Sequence, residues 1–294
     1  ALVRPTISAC YKERENMIQQ SKFSMAIGSE LEHIDQLTPQ QIKKEYKALP
    51  KELKQATTAV IYRGNSPMNG DQIMCVVSGI KTKSQNDKTG VMAQASILLA
   101  NMHPVEGYKT GADEAICGEC PLRLNEGSRI CYVNVLFNNG SQYKSVTNNE
   151  VFMTPRQLAV ILAYRQRGIR WGSYGDPAML PFGLIHQVMS LSGVHHTSYT
   201  HQWIQPWFDK RHLVYSMASI DHVNTVDKLA ELQDENTRYY RLVDSYENLL
   251  SGEIKCPSNS ESRNEDGTRK ITCAECGLCA GSNKQAKSIA IIEE

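Results

Sequence analysis

The chain has 294 residues, of which 32 are basic and 31 acidic, so its formal net charge is +1. A balance this even argues against nucleic-acid binding driven by bulk charge. The length allows one large domain or two ordinary ones, with a core that needs no disulfides. The sequence shows neither a secretory signal nor an apolar run of about 20 residues, so it predicts a cytoplasmic protein without a membrane segment.

The first 58 residues are predicted to form an N-terminal helical segment. Thr38 followed by Pro39 is a typical helix start, which predicts a helix from Gln40 to about Leu49. Pro50 ends that helix, and a second short helix is predicted from Lys51 to about Thr57.

From residue 59 the pattern changes to short apolar strands separated by turn residues. Strands are predicted at Ala59–Tyr62, Ile73–Ser78 and Val91–Ala100. Three strands in succession indicate an antiparallel sheet or an extended hairpin.

After residue 130, strands alternate with helices, which predicts an α/β fold with a partial or full β/α barrel-like domain over residues 59–255. Residues 256–294 are expected to form a cysteine-rich, metal-binding C-terminal segment that includes the last strand. The predicted strands are Ile130–Phe137, Ile169–Tyr174, a short one ending at Thr200, Leu213–Ser219, Arg238–Val243 and Ser288–Ile292, and the predicted helices are Pro155–Arg167, Pro181–Leu191 and Asn224–Asp234.

Seven of the nine cysteines fall into two groups whose spacing is typical of metal ligands. The C-terminal group has four members, which matches a [4Fe–4S] cluster or tetrahedral zinc. Three of its thiols lie within seven residues, as in ferredoxin-type loops, and this favours iron–sulfur over zinc. The members of this group are Cys256, Cys273, Cys276 and Cys279.

The first group contains only Cys117, Cys120 and Cys131. Its fourth ligand could be His103, another side chain or an exogenous molecule. A cluster with three cysteines has an open iron that can take a substrate or cofactor, whereas a histidine would complete a structural site. The spacing also allows both groups to contribute to one site. The isolated Cys10 and Cys75 are interpreted as packed thiols.

Polar side chains follow several predicted strands, where the working face of a β/α barrel would lie. Asp176, His201 and Asp221 are the candidate catalytic residues on this face, with a role in orienting a substrate. Asp176 could instead cap the helix that begins near Pro177, and His201 could be a buried core histidine.

A string of motifs resembles a family of uncharacterised proteins encoded by bacteriophages and plasmids, over about residues 70–292. The resemblance implies a phage-type protein in the host cytoplasm and assigns no reaction. In chain order, the motifs are Lys88-Thr89-Gly90, His103-Pro104-Val105-Glu106, Thr110-Gly111-Ala112-Asp113, Cys117-Gly118-Glu119-Cys120-Pro121, Cys131-Tyr132-Val133-Asn134-Val135, Tyr174-Gly175-Asp176-Pro177, Tyr199-Thr200-His201-Gln202-Trp203, Met217-Ala218-Ser219 and the region from Cys256-Pro257 to Cys279.

The chain also has a weaker resemblance to radical S-adenosylmethionine enzymes, which combine a β/α barrel with a three-cysteine [4Fe–4S] cluster. Here the spacing is C-x2-C-x10-C in place of their C-x3-C-x2-C, which argues against S-adenosylmethionine as a cofactor. The expected function is an iron–sulfur protein with redox or radical chemistry, acting on a small molecule. The alternatives are a zinc-stabilised, non-enzymatic protein that binds a host protein or nucleic acid, and a component of the phage particle.

Overall fold

The computed structural model describes residues 31–81, 86–123, 131, 133–220, 228–234, 237–281 and 286–292. Cys10 and Asp221 lie outside these ranges. Within the described residues, the helices are all too short or too polar to cross a membrane.

Two N-terminal helices precede the first sheet, as the sequence predicts: α1 (Pro39–Ala48) and α2 (Lys51–Gln55). Thr38 begins α1 with a capping box, since its hydroxyl accepts a hydrogen bond from the backbone N–H of Gln41 at 3.3 Å. The backbone N–H of Leu37 donates to the carbonyl of Leu191 at 3.0 Å. The segment before α1 is therefore attached to the body of the protein.

The first sheet has five strands in the order β1-β2-β3-β4-β5. β1, β2 and β3 pair antiparallel, which confirms the arrangement predicted from their turns. β4 and β5 then add to β3 in parallel. The strands are β1 (Thr58–Asn65), β2 (Gln72–Ser78), β3 (Ala93–Leu99), β4 (Ile169–Tyr174) and β5 (His196–Thr197).

The second sheet has five parallel strands in the order β6-β7-β8-β10-β9. Only Ser198 separates β5 from β6, so the chain passes directly from one sheet to the other. The fold is mixed α/β, and the pairing of the described strands gives two sheets without closing a barrel. The strands are β6 (Tyr199–Thr200), β7 (Met217–Ile220), β8 (Tyr239–Val243), β9 (Glu253–Lys255) and β10 (Ser288–Ile292).

The remaining helices lie between the strands and pack on the sheets. They are α3 (Pro104–Thr110), α4 (Glu114–Cys117), a π-helix (Val135–Asn139), α5 (Gly140–Asn148), α6 (Pro155–Tyr164), α7 (Phe182–Ser192), α8 (Leu229–Asp234) and α9 (Cys273–Cys276). Short 3-10 helices are formed by Pro177–Met179, Gln202–Ile204, Lys210–Val214 and Tyr246–Asn248.

One predicted strand is wrong, and another is shorter than predicted. In place of a strand through Phe137, residues 135–139 form the π-helix, because the Asn134 side chain accepts a hydrogen bond from the N–H of Leu136 at 3.0 Å and begins a helical turn. Leu136 and Phe137 are 63% and 75% exposed. The predicted strand Leu213–Ser219 begins only at Met217, since Asp209 caps a 3-10 helix in the preceding residues.

The two faces of the second sheet pack against different parts of the chain. On one face, Ala218, Ile220 and Tyr239 pack with Trp203 and the helix α8. On the other face, apolar side chains of β7, β8 and β10 pack with three of the four cysteines of the C-terminal group, Cys256, Cys276 and Cys279. The cysteine-rich segment is therefore part of a hydrophobic core.

Histidine 212 is a buried group whose protonation is linked to folding. Its ring packs edge-on against Phe182, with ring centroids 5.7 Å apart. Burial lowers the pKa of His212 to about 4. The negative charge of Asp209 is the main influence in the opposite direction, and it raises the pKa only in part. A histidine in the unfolded chain has a pKa near 6.5. As pH falls through this range, the unfolded chain takes up a proton that the folded protein excludes, so stability is lost between about pH 6.5 and 4.

We expect His212→Gln to flatten the acid side of the stability profile. The difference in unfolding free energy between wild type and variant should shrink by up to about 1.4 kcal/mol per pH unit from pH 6.5 to 4. Urea unfolding across this range measures it. His33→Gln is the matched control, because its side chain is 74% exposed. If both variants follow the wild-type profile, His212 is not excluded from protonation in the folded state.

Candidate metal centres

The C-terminal cysteine group is built around the short helix α9. Thr272 and Glu275 form a capping box at its start, and Gly277, with φ +65°, ends it in the left-handed conformation. Gly277 thus occupies a position that favours glycine. Cys273 and Cys276 stand three residues apart on this helix, so they lie on the same side of it.

Backbone hydrogen bonds hold Cys273 and Cys279 near the amino ends of two strands and hold Cys256 beside β10. The N–H of Cys273 donates to the carbonyl of Lys88 at 2.8 Å, just before β3. The carbonyl of Cys279 accepts from Ser198 at 3.0 Å, just before β6. The N–H of Cys256 donates to Ala290 of β10 at 2.8 Å. Residues far apart in sequence are thereby brought to one place.

The thiols of this group are in apolar surroundings. Burial raises the pKa of Cys256 to about 12 and that of Cys279 to about 11, and Cys273 adds to both shifts. Burial also raises the pKa of Cys273. Cys279 also contributes to the raised pKa of Cys256, so the two side chains are within electrostatic range of each other.

Cationic side chains surround the same thiols. Lys88 favours the ionised form of Cys256, Cys273 and Cys279. Further cations act on single members of the group: Arg170 and Arg269 on Cys273, and Arg238 on Cys279. The hydroxyl of Tyr199 hydrogen-bonds to the sulfur of Cys279, and its ring packs against Tyr240 with centroids 4.6 Å apart. The surroundings thus offset negative charge on sulfur.

The first cysteine group begins at the end of α4. Gly118 follows Cys117 with φ +55°, and a Cβ at this glycine would lie 2.2 Å from Oε1 of Gln202. The buried Gln202 amide donates to the carbonyl of Cys117 at 2.9 Å and accepts from the N–H of Glu119 at 3.3 Å. Gly118 is therefore required both by its conformation and by the close approach of Gln202.

An ion pair holds the other side of the same loop. The guanidinium of Arg123 donates to Oδ1 of the buried Asp113 at 2.8 Å, and to the carbonyls of Gly118 and Gly111 at 2.9 and 2.8 Å. The N–H of Cys131 donates to the carbonyl of Leu122 at 2.9 Å. This bond keeps Cys131 beside the loop, although ten residues of sequence lie between Cys120 and Cys131.

The thiols of Cys120 and Cys131 are within electrostatic range of Cys117. The pKa of Cys117 is raised well above its ordinary value by burial and then by Asp113, Cys120 and Cys131, while Arg123 opposes the shift. Burial and nearby negative charge both disfavour a free thiolate. Cys117 is therefore an unreactive thiol unless a cation replaces its proton.

Two of the three predicted catalytic residues lie beside this group. The N–H of Asp176, after β4, donates to the carbonyl of Ile116 at 2.7 Å. Its carboxylate accepts from the backbone N–H of Ala178 at 2.9 Å and of His201 at 2.8 Å. Nδ1 of His201 lies 3.8 Å from that carboxylate. Asp176 thus caps a helix and also joins the loops after β4 and β6.

The other candidates are placed differently. His103 begins α3, where its Nδ1 accepts from the N–H of Val105 at 3.3 Å. Its ring packs edge-on against Tyr143 and close to Gly140 of α5. Asp221 lies outside the described residues, and Cys75 is fully buried in β2, as expected for a packed thiol.

Cys117 of the first group and Cys273 and Cys279 of the C-terminal group lie near opposite ends of parallel strands. The first group contacts the loops after β4 and β6, whereas the C-terminal group contacts residues before β3 and β6. β4 has six residues and is thus about 20 Å long. Because of this distance, the structure does not bring the two groups into one site. Among the described residues, no three His, Cys, Asp or Glu side chains converge as a ready metal-binding set.

The structure adds residues that the sequence did not single out. Gln202 and Arg123 fix the backbone of the first group, and Tyr199, Lys88 and Arg170 surround the second. Gln202 and Tyr199 belong to the motif Tyr199-Thr200-His201-Gln202-Trp203, and membership of that motif was the only indication of their importance in the sequence. Their contacts with cysteines 80 or more residues away are set by the fold.

We expect Gln202→Ala to loosen the first cysteine group. The loss of one hydrogen bond to the buried backbone of Cys117 and of one from the N–H of Glu119 should cost about 1–3 kcal/mol of unfolding free energy. It should also speed alkylation of Cys117, which mass spectrometry of labelled peptides measures. Gln205→Ala is the control, since it removes a single side-chain bond to Glu119, and should change stability by less than about 0.5 kcal/mol. Equal alkylation rates in the two variants would contradict the role of Gln202.

Comparison of the chain with protein-family models, with curated proteins and with solved structures finds no match. The functional conclusion therefore depends on the chemistry of the two cysteine groups.

Proposed function

We propose that the protein binds a [4Fe–4S] cluster at Cys256, Cys273, Cys276 and Cys279. The observation that carries the proposal is the presence of these four thiols, from two separate stretches of sequence, in one part of the structure beneath the second sheet. Four cysteine sulfurs are the usual ligand set of such a cluster. α9 would supply two of the sulfurs from one side of a single turn.

The surroundings fit this group. A thiolate without a partner is costly at an apolar site, so these cysteines either keep their protons or share a metal. A cluster held by four thiolates carries net negative charge, and the cations Lys88, Arg170, Arg238 and Arg269 would offset it. Hydrogen bonds to ligand sulfurs tune such centres, and Tyr199 would supply one to Cys279. Binding would require the thiols to turn towards a common centre.

We infer that the first cysteine group is the working site. Cys117, Cys120 and Cys131 provide three thiols at the carboxyl ends of parallel strands, where α/β enzymes commonly bind substrates. A metal or cluster held there by three thiolates would keep one position for a small molecule and would supply redox chemistry. Asp176 and His201 would position that molecule. The C-terminal group would serve a structural or auxiliary role.

The proposal includes a β/α scaffold of the partial-barrel kind. Its support is the single residue, Ser198, between β5 and β6, which makes β3 to β8 a nearly continuous run of parallel strands. In such a scaffold the loops after β4 and β6 would face one mouth, with the first cysteine group at its rim.

Purification without oxygen tests the metal assignment. We expect a brown protein with broad visible absorbance, iron and acid-labile sulfide. Cys256→Ala should lose most of the iron and sulfide of the C-terminal centre. Cys75→Ala is the matched control, because Cys75 is a buried cysteine outside both groups, and its iron content should equal that of wild type.

A colourless protein that contains only zinc would contradict the iron–sulfur assignment and would support a zinc-stabilised binding protein. A protein without bound metal, after reconstitution with iron and sulfide as well, would contradict both.

A second variant separates the two groups. Cys117→Ala should remove one centre and leave the C-terminal one, because Cys117 and the pair Cys273 and Cys279 lie near opposite ends of parallel strands. The iron that remains and the electron paramagnetic resonance spectrum of the reduced protein measure the result. Loss of all metal in a variant whose circular dichroism matches wild type would mean that the two groups form a single centre.

A further inference from the structure

A cavity of about 220 Å³ lies beside the first cysteine group. Its walls combine rings and apolar side chains with two lysines, and none of its described lining residues is acidic. The lining consists of Trp203, Ile204, Gln205, Pro206, Phe208, Lys210 and Lys228.

The floor of the cavity is rigid and its rim is open. Trp203 and Phe208 are buried members of the core on this face of the second sheet, and the indole N–H of Trp203 donates to the carbonyl of Ser219 at 2.9 Å. Pro206, Lys210 and Lys228 are exposed. A ligand would therefore meet fixed rings at the floor and positive charge at the edge.

The wall of the cavity also holds the first cysteine group. Trp203 and Ile204 lie in the 3-10 helix Gln202–Ile204, whose first residue bonds to Cys117 and Glu119. Gln205, in the lining, donates to the carboxylate of Glu119 at 2.9 Å. One short segment thus contacts the cavity on one side and the cysteine loop on the other.

We propose that this cavity binds a small phosphate monoester that carries a ring, of the size of a nucleoside monophosphate. The rings and Pro206 would contact the apolar body, and the two lysines would receive the phosphate as point charges. The volume is below the roughly 300–1,000 Å³ that is typical of pockets for drug-sized ligands, so the cavity would take the ring and leave the phosphate at the open rim beside the lysines. The proposal does not depend on metal in either cysteine group.

Calorimetric titration of the purified full chain with AMP, adenosine and inorganic phosphate tests this. We expect saturable AMP binding, at least roughly tenfold tighter than that of adenosine or phosphate alone. Lys228→Ala and Lys210→Ala should each weaken AMP binding roughly tenfold, as for the loss of one charged contact. Lys51→Ala, an exposed lysine on α2, is the matched control and should bind AMP as wild type does.

Three results would overturn the proposal. The first is no saturable binding of AMP at millimolar concentration. The second is that adenosine or phosphate binds as tightly as AMP. The cavity would then not recognise the phosphate charge, or would not recognise the ring. The third is the same affinity for AMP in Lys228→Ala, Lys210→Ala and Lys51→Ala.

Discussion

The burial of cysteine thiols in apolar surroundings is the constraint on which the rest of the structure depends. The C-terminal segment covers one face of the second sheet, and Cys256, Cys276 and Cys279 are among the side chains that pack there. Burial pushes the pKa values of Cys256 and Cys279 up, while Lys88 lowers both and Arg238 lowers that of Cys279. Such a site is poorly suited to free thiolates, and it becomes favourable when a metal takes the place of the protons.

The first cysteine group meets a different constraint, because its loop must be held between two sheets. Gln202 fixes the loop from the second sheet, and Arg123 fixes it locally through the buried carboxylate of Asp113. Asp176 then joins the loops that follow β4 and β6. The polar residues at the carboxyl ends of the strands thus hold the loops of the site in place. The sulfurs of Cys117, Cys120 and Cys131 are the groups that give the site its distinctive chemistry.

The parts of the fold with strong local signals could be predicted from the sequence. β4 and β10 have the predicted bounds, because buried parallel strands are apolar runs with clear ends. α1 and α6 begin at the predicted threonine–proline pairs. The π-helix was missed because one capping side chain, Asn134, outweighed a pattern that resembled a strand.

The spacing of the cysteines predicted their grouping, but it could not place Cys117 and the pair Cys273 and Cys279 near opposite ends of parallel strands. It also could not reveal Lys88 and Arg170, whose proximity to Cys273 comes from the tertiary fold. Contacts of this kind depend on how the sheets bring distant loops together, and local sequence carries little information about that.

Native mass spectrometry of the chain purified without oxygen tests the central claim most directly. Two cysteine-bound centres at separate places should appear as two mass increments, and a chelator should remove them in two steps. The four-thiolate centre at the C-terminal group should be the last to leave, because it is the complete and more buried one. A chain with the mass of the polypeptide alone, before and after reconstitution, would contradict the account.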